Sequence, residues 1–316
     1  MIPTISYQEI DPKALNAACR DWGFFVLKDH DIDPTLIKAG LSATALFFQQ
    51  PLEEKNKIRR SAANCWGYYD AELTKNKRDW KEILDIGPAI DEGPLRGATP
   101  QWPGIPGIRA ALSQLSDKMH QTALNLVDEI ARSLCAHVDL DKAFGLHSSF
   151  LRLNYYPPCP DPASDMSRLL PASGELGISH HSDAGAVTVL IQDGMPGLQV
   201  YHNGRWIDVA SDRGTVLINI GDVVQVWSND NYQAPLHRVL ANSRTPRISI
   251  PYFLNPAYAY SYAPLLGAPR YRSINWGDFR AQRSAGDYSD LGSEIQISDF
   301  SIGEDRPHKP PPQGSA

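Results

Sequence analysis

Between residues 151 and 254 the chain breaks into short apolar runs, each closed by a turn signal, and no other feature restricts the fold as much. Residues 151–156 alternate well and are stopped by Pro157-Pro158-Cys159-Pro160, because consecutive prolines cannot continue a ladder. A polar loop follows over 161–174. Residues 186–192 are apolar and β-branched, and 198–201 and 205–209 flank Asn203-Gly204, a type I′ hairpin signal. Runs at 215–220, 223–227, 236–241 and 247–254 complete the series, the first two leading into Gly221-Asp222 and into a turn at 228–231. Strands at this spacing with tight turns between them predict an antiparallel barrel or jelly roll, of which the cupin-like double-stranded β-helix is the natural choice. Every second residue of each strand would line its interior.

The flanking segments read as helical. Asp11-Pro12 and Asp33-Pro34 each place an N-cap before a proline at the first helical position, predicting helices to about Asp21 and Phe48. A short strand lies between them at 23–27, and a third, shorter helix starts at Pro51. Residues 61–90 are irregular, with Trp66, Tyr68, Tyr69 and Trp80 as core filler or as part of a substrate wall. The longest helical pattern runs from 108 to 137, with one apolar stripe through Ile108, Leu112, Leu115, Met119, Ala123, Leu126, Ile130 and Leu134. His120 and His137 on it read as structural. An aromatic loop at 258–263 precedes a short helix from Trp276. The fold class is therefore mixed α and β: a jelly-roll core with an N-terminal helical region, a long supporting helix and a C-terminal helical and irregular segment. The division expected is 1–149, 150–260 for the core, 261–302 for a C-terminal packing segment, and a disordered tail over 303–316 in which His308 has no role.

Composition narrows the function. A formal net charge of −6 disfavours a nucleic-acid partner. No apolar run approaches the roughly 20 residues that span a bilayer, and the first residues lack the basic and apolar regions of a signal peptide. Cys19, Cys65, Cys135 and Cys159 are scattered and form neither a C-x-x-C pair nor a disulfide framework. A cytoplasmic location is the expectation, and oligomeric state is not readable.

The chemistry centres on His181-Ser182-Asp183. On an extended strand, residues two apart point to the same face, so His181 and Asp183 share one and His180 does not. His237, several strands later, is the best third partner. Two imidazoles and a carboxylate leave open positions on an octahedral ion, the arrangement of non-haem Fe(II) oxygenases. Arg247-Ile248-Ser249 repeats the two-residue spacing. A guanidinium inside a barrel needs an anion, since burying it unpaired costs several kcal/mol, and a small dicarboxylate would satisfy it through charge-assisted contacts. A structural Arg–Asp bridge is the alternative.

Together these motifs resemble the 2-oxoglutarate- and Fe(II)-dependent dioxygenases of the isopenicillin N synthase-like branch. The likeness covers about residues 1–300 and extends to Trp22-Gly23-Phe24-Phe25 with His30, Phe47-Phe48 through Pro51-Leu52-Glu53-Glu54-Lys55, Asn154-Tyr155-Tyr156-Pro157-Pro158-Cys159-Pro160, Gly197-Leu198-Gln199-Val200, Asn219-Ile220-Gly221-Asp222 and Trp227-Ser228-Asn229. His30-Asp31-Ile32 departs from the H-G-I of relatives. The resemblance implies that His181, Asp183 and His237 hold Fe(II), and that Arg247 and Ser249 bind the distal carboxylate of 2-oxoglutarate. Asn154 and Tyr156 match positions that help hold the co-substrate near the metal; Asn154 could equally be structural, and Tyr156 could touch substrate. The activity implied is oxidation of a small metabolite with O2, hydroxylation by default but also desaturation or cyclisation, releasing succinate and CO2. An amino acid, small peptide-like molecule or specialised metabolite is the expected substrate. Two alternatives stand: an oxidase like isopenicillin N synthase or aminocyclopropane-carboxylate oxidase that does not use 2-oxoglutarate, and a non-catalytic cupin-like binding module.

Overall fold

The structure, a computed structural model, describes residues 1–303 apart from 62, 94, 165–168, 170, 172, 210, 211 and 213. The expected tail lies, beyond residue 303, outside the described residues. In chain order the elements are β1 (Thr4–Ser6), α1 (Pro12–Asp21), β2 (Phe24–Lys28), α2 (Pro34–Phe48), α3 (Leu52–Asn56), β3 (Gly67–Tyr69), β4 (Leu73–Thr74), β5 (Lys77–Arg78), β6 (Glu82–Ile86), α4 (Ile108–Ser133), α5 (Leu140–Phe144), β7 (Phe150–Tyr156) and β8 (Leu176–His181). They continue with β9 (Val187–Gln192), β10 (Leu198–His202), β11 (Arg205–Asp208), β12 (Val216–Ile220), α6 (Asp222–Trp227), β13 (His237–Leu240), β14 (Arg247–Leu254), β15 (Ser261–Tyr262), β16 (Ile274–Asn275) and α7 (Trp276–Ala285).

The N-caps behave as their chemistry dictates: Asp11 accepts from the Lys13 N–H and Asp33 from the Thr35 N–H, ahead of Pro12 and Pro34. Two sheets make the core. The larger has the order β1-β2-β12-β9-β14-β7-β6-β3, and the smaller β11-β10-β13-β8. Apart from the parallel β1–β2 pair, their ladders are antiparallel. Asn203 and Gly204 both have positive φ at the β10–β11 hairpin, as a type I′ turn requires.

Strand alternation sorts the larger sheet into two faces. Val187, Val189 and Ile191 of β9, with Val216, Ile218 and Ile220 of β12, join the main core against the α4 stripe of Leu112, Leu115 and Met119. The intervening residues face the smaller sheet. There Phe24, Tyr156, Leu190 and Leu217 pack with Leu198, Val200 and Val239 into a second apolar cluster. Beyond that cluster the inter-sheet space becomes polar.

Three expectations change. Residues 223–227 form helix α6 rather than a strand, because a short apolar run has no decisive period and this one is buried nearly all round. The irregular stretch 61–90 holds four strands, of which β6 pairs with β7 in the larger sheet. Helix α4 ends at Ser133, and Cys135 takes a positive φ of 54° in the turn that follows. All four cysteines are free. Among the described residues no helix is long and apolar enough to cross a membrane.

Candidate active site

His181 closes β8 and pairs in register with His237 on β13. Asp183 lies two residues past the end of its strand, not within it as alternation assumed, yet its carboxylate still reaches the same point. Its Oδ1 is 3.8 Å from His181 Nε2 and 3.6 Å from His237 Nε2. One ligand atom from each residue lies within 4.8 Å of the others, a set that could hold a metal ion.

Each donor is oriented from behind. His181 Nδ1 lies 2.8 Å from the Ser179 carbonyl oxygen and His237 Nδ1 3.1 Å from that of Pro235. A proton on each Nδ1 satisfies those oxygens and leaves each Nε2 as a lone-pair donor. Burial, with the neighbouring His237 imidazole, pushes His181 down to about 3, so the ring is neutral at ordinary pH. Burial alone would raise the Asp183 carboxyl. The His237 and His181 imidazoles and hydrogen bonds from Asn219 and Thr188 outweigh it and hold the group below its usual range.

Asp183 Oδ2 accepts from Thr188 Oγ1 and from Asn219 Nδ2 at 2.8 Å, which leaves Oδ1 facing the imidazoles. Gly221 completes the mounting. A Cβ there would stand 2.7 Å from the Asp183 carbonyl oxygen and 2.3 Å from that of Gly185, so only glycine permits this approach. The next N–H, of Asp222, donates to the Asp183 carbonyl at 2.8 Å. Asn219→Ala is expected to weaken Fe(II) binding about 10–100-fold, the usual cost of losing a residue that orients a metal ligand; anaerobic Fe(II) titration reads it.

Arg247 and Ser249 open β14, on the cavity side, opposite Tyr156 and Asn154 of β7. Arg247 is 1% exposed. Its Nη2 donates to Gln192 Oε1 at 2.7 Å and its Nε to the Met195 carbonyl at 3.3 Å. Its guanidinium carbon lies 5.0 Å from the centre of the Tyr156 ring. Its Nη1 is buried without a partner. No described carboxylate lies within ion-pair distance, so the structural Arg–Asp bridge is absent there. Asn154 Nδ2 donates to Ser249 Oγ at 3.2 Å, and Asn154 Oδ1 is buried without a partner.

All seven residues line one cavity that opens to solvent. The apolar inter-sheet cluster lines it too, through Phe24, Leu190, Leu198 and Val239. Four residues escaped attention as site residues in the sequence: Thr188, Gln192, Asn219 and Gly221. Thr188 and Gln192 were legible as polar residues in an otherwise apolar strand, while Asn219 and Gly221 stood out only within a shared motif. His120, expected to be structural, places its Nδ1 2.8 Å from Tyr252 Oη.

The pattern of the 2OG-Fe(II) oxygenase superfamily matches residues 147–256, and that of the N-terminal region of non-haem dioxygenase in morphine synthesis matches residues 2–104. Feruloyl CoA ortho-hydroxylase 2 of Arabidopsis thaliana is 31% identical over 300 residues, spanning 88% of this chain and 78% of its own. The chain belongs to the 2-oxoglutarate- and Fe(II)-dependent oxygenases. Solved structures agree with the fold of this oxygenase. A full-length Neurospora crassa protein in complex with alpha-KG and thymine superimposes with a TM-score of 0.76 at 26% identity, covering 91% of this chain and 97% of that one. JOX2 in complex with 2OG, Fe and JA gives 0.78 at 26%, covering 96% and 89%.

The oxygenase is thus an oxidoreductase that uses Fe(II), 2-oxoglutarate and O2 on a small-molecule substrate, releasing succinate and CO2. Its polar residues fit those groups. Two imidazoles and an ionised carboxylate suit Fe(II), and a buried guanidinium with a spare N–H suits a carboxylate.

Proposed function

We propose that His181, Asp183 and His237 hold the Fe(II), that Arg247 and Ser249 clamp the distal carboxylate of 2-oxoglutarate, and that Asn154 and Tyr156 help position the co-substrate beside the metal. The observation that carries this is Arg247 Nη1, a buried and unpartnered N–H with no described carboxylate of the protein within ion-pair distance. When bound, Fe(II) with 2-oxoglutarate supplies oxidative decarboxylation to succinate and CO2 coupled to oxidation of the substrate, hydroxylation being the default outcome.

The protein's part is ligation, orientation and exclusion of water. The Ser179 and Pro235 carbonyls fix the tautomers of the two imidazoles. Thr188 and Asn219 turn the Asp183 carboxylate so that one oxygen faces the metal. The apolar cluster around Leu190 and Val239 keeps the inner end dry. No separate general acid or base is needed. The jelly-roll core is taken as 150–260, packed by 1–149 and 261–302. A cytoplasmic location is supported by the free cysteines.

Anaerobic addition of Fe(II) and 2-oxoglutarate is expected to give a weak visible charge-transfer band, and aerobic incubation with substrate to give succinate. An oxidase of the isopenicillin N synthase kind, with another small acid on Arg247, would give neither. A binding module would give no succinate.

A further inference from the structure

The cavity wall and the residues behind it carry more charge than the metal and co-substrate need, and most of it is internally satisfied. Glu72 accepts from both terminal nitrogens of Arg152 at 2.9 Å and pairs with Lys81 at 2.7 Å and Arg60 at 3.4 Å. Asp85 takes the remaining hydrogen bonds of Arg152 and one from Arg60, and Asp79 takes a second contact from Lys81. Glu294 sits 3.7 Å from the Lys75 ammonium. Arg283 spends its guanidinium on backbone, donating to the Ile295 carbonyl at 2.8 Å and reaching the Ser182 carbonyl at 3.5 Å. That last contact ties α7 to the turn between His181 and Asp183.

Two cavity-lining groups are left over, Arg280 and Asp287. Arg280 lies on α7 and Asp287 two residues past its end. Both are partly buried. Neither side chain makes a hydrogen bond or an ion pair within 4.0 Å to any described residue, including to each other. They feel one another only at longer range. Burial, with the Glu72 carboxylate, pushes Asp287 up to about 6, as expected of a carboxylate with no donor of its own. A cation and an anion that face one cavity yet stay apart are complementary to a ligand bearing both an acid and a donor, which would close the gap between them.

We propose that the primary substrate is an amino acid or an amide-linked amino-acid derivative, its carboxylate paired with Arg280 and its ammonium or amide N–H donated to Asp287. This rests on the cavity being the oxygenase's active site. Arg283 fastens the same helix to the Ser182 carbonyl, and Arg280 and Asp287 line the cavity that His181, Asp183 and His237 also line. Arg152 and Lys81, though they line the same cavity, are closed off by their own carboxylates.

Calorimetric titration of the metal-free protein tests this with the common L-amino acids and their N-acetyl forms, each beside its matched amine and matched carboxylic acid. At least one probe bearing both groups should bind tenfold or more tighter than either matched compound, and the same probe should raise succinate formation by the Fe(II)-loaded enzyme. Arg280→Gln should weaken it tenfold or more, with part recovered in Arg280→Lys, and Asp287→Asn should weaken ammonium-bearing probes more than amide-bearing ones. The proposal is overturned if no probe surpasses its matched amine and acid on the wild-type protein, or if folded Arg280→Gln binds as wild type does. Binding to metal-free protein is independent of the charge-transfer band, so loss of that band would count against the 2-oxoglutarate reading alone.

Discussion

Asp183→Ala is expected to bring succinate formation down to the level of metal-free protein, with Fe(II) binding lost in anaerobic titration. It removes the only carboxylate of the candidate ligand set and leaves two imidazoles, which bring no negative charge to a divalent ion. It also strands the Thr188 hydroxyl, at about 1–3 kcal/mol for a buried group left unsatisfied, and leaves the Asn219 amide only its 3.5 Å contact to the Ile220 carbonyl. Some loss of thermal stability therefore accompanies the loss of activity. Asp183→Asn separates the two effects. It keeps the shape and a hydrogen-bonding oxygen but loses the negative charge, so it should stay folded and still fail to turn over. Substantial succinate production by the folded Asn variant would remove Asp183 from the ligand set.

Arg247→Ala is expected to raise the KM for 2-oxoglutarate by at least about 100-fold. Each hydrogen bond to a charged group is worth roughly 1.5–3 kcal/mol. Two such contacts from one guanidinium correspond to about 10²–10⁴ in affinity at 1.4 kcal/mol per decade. Arg247→Lys should fall between, since an ammonium keeps the charge but cannot also bond Gln192 and the Met195 carbonyl in the same fork. Metal binding should be much less affected. An unchanged KM would move the co-substrate carboxylate elsewhere in the cavity.

Much of this was legible because period-two alternation is rigid. Once 247–254 reads as a strand, Arg247 and Ser249 must share a face, and they do so in β14, opposite Asn154 and Tyr156. The spacing of His181 and Asp183 anticipated that the two side chains converge, for a partly wrong reason. The strand ends at His181, and Asp183 is carried by a turn held through Gly221 and the Asp222 N–H. Turn geometry of that kind depends on a segment distant in sequence, so local spacing could not show it. Helix α6 was illegible because a short run of mostly apolar positions favours neither period. The charged wall of the cavity was illegible for a different reason. Whether Arg280 or Arg152 is free depends on which carboxylates fold against each, and only tertiary structure decides that.

The two imidazoles belong to the smaller sheet, while the carboxylate between them is gripped by Thr188 and Asn219 of the larger one. An ion coordinated by all three is consequently a rivet through both layers of the sandwich. Loading the metal and fastening the open end of the barrel are then one event, and the pocket should be at its most rigid when it is ready to react.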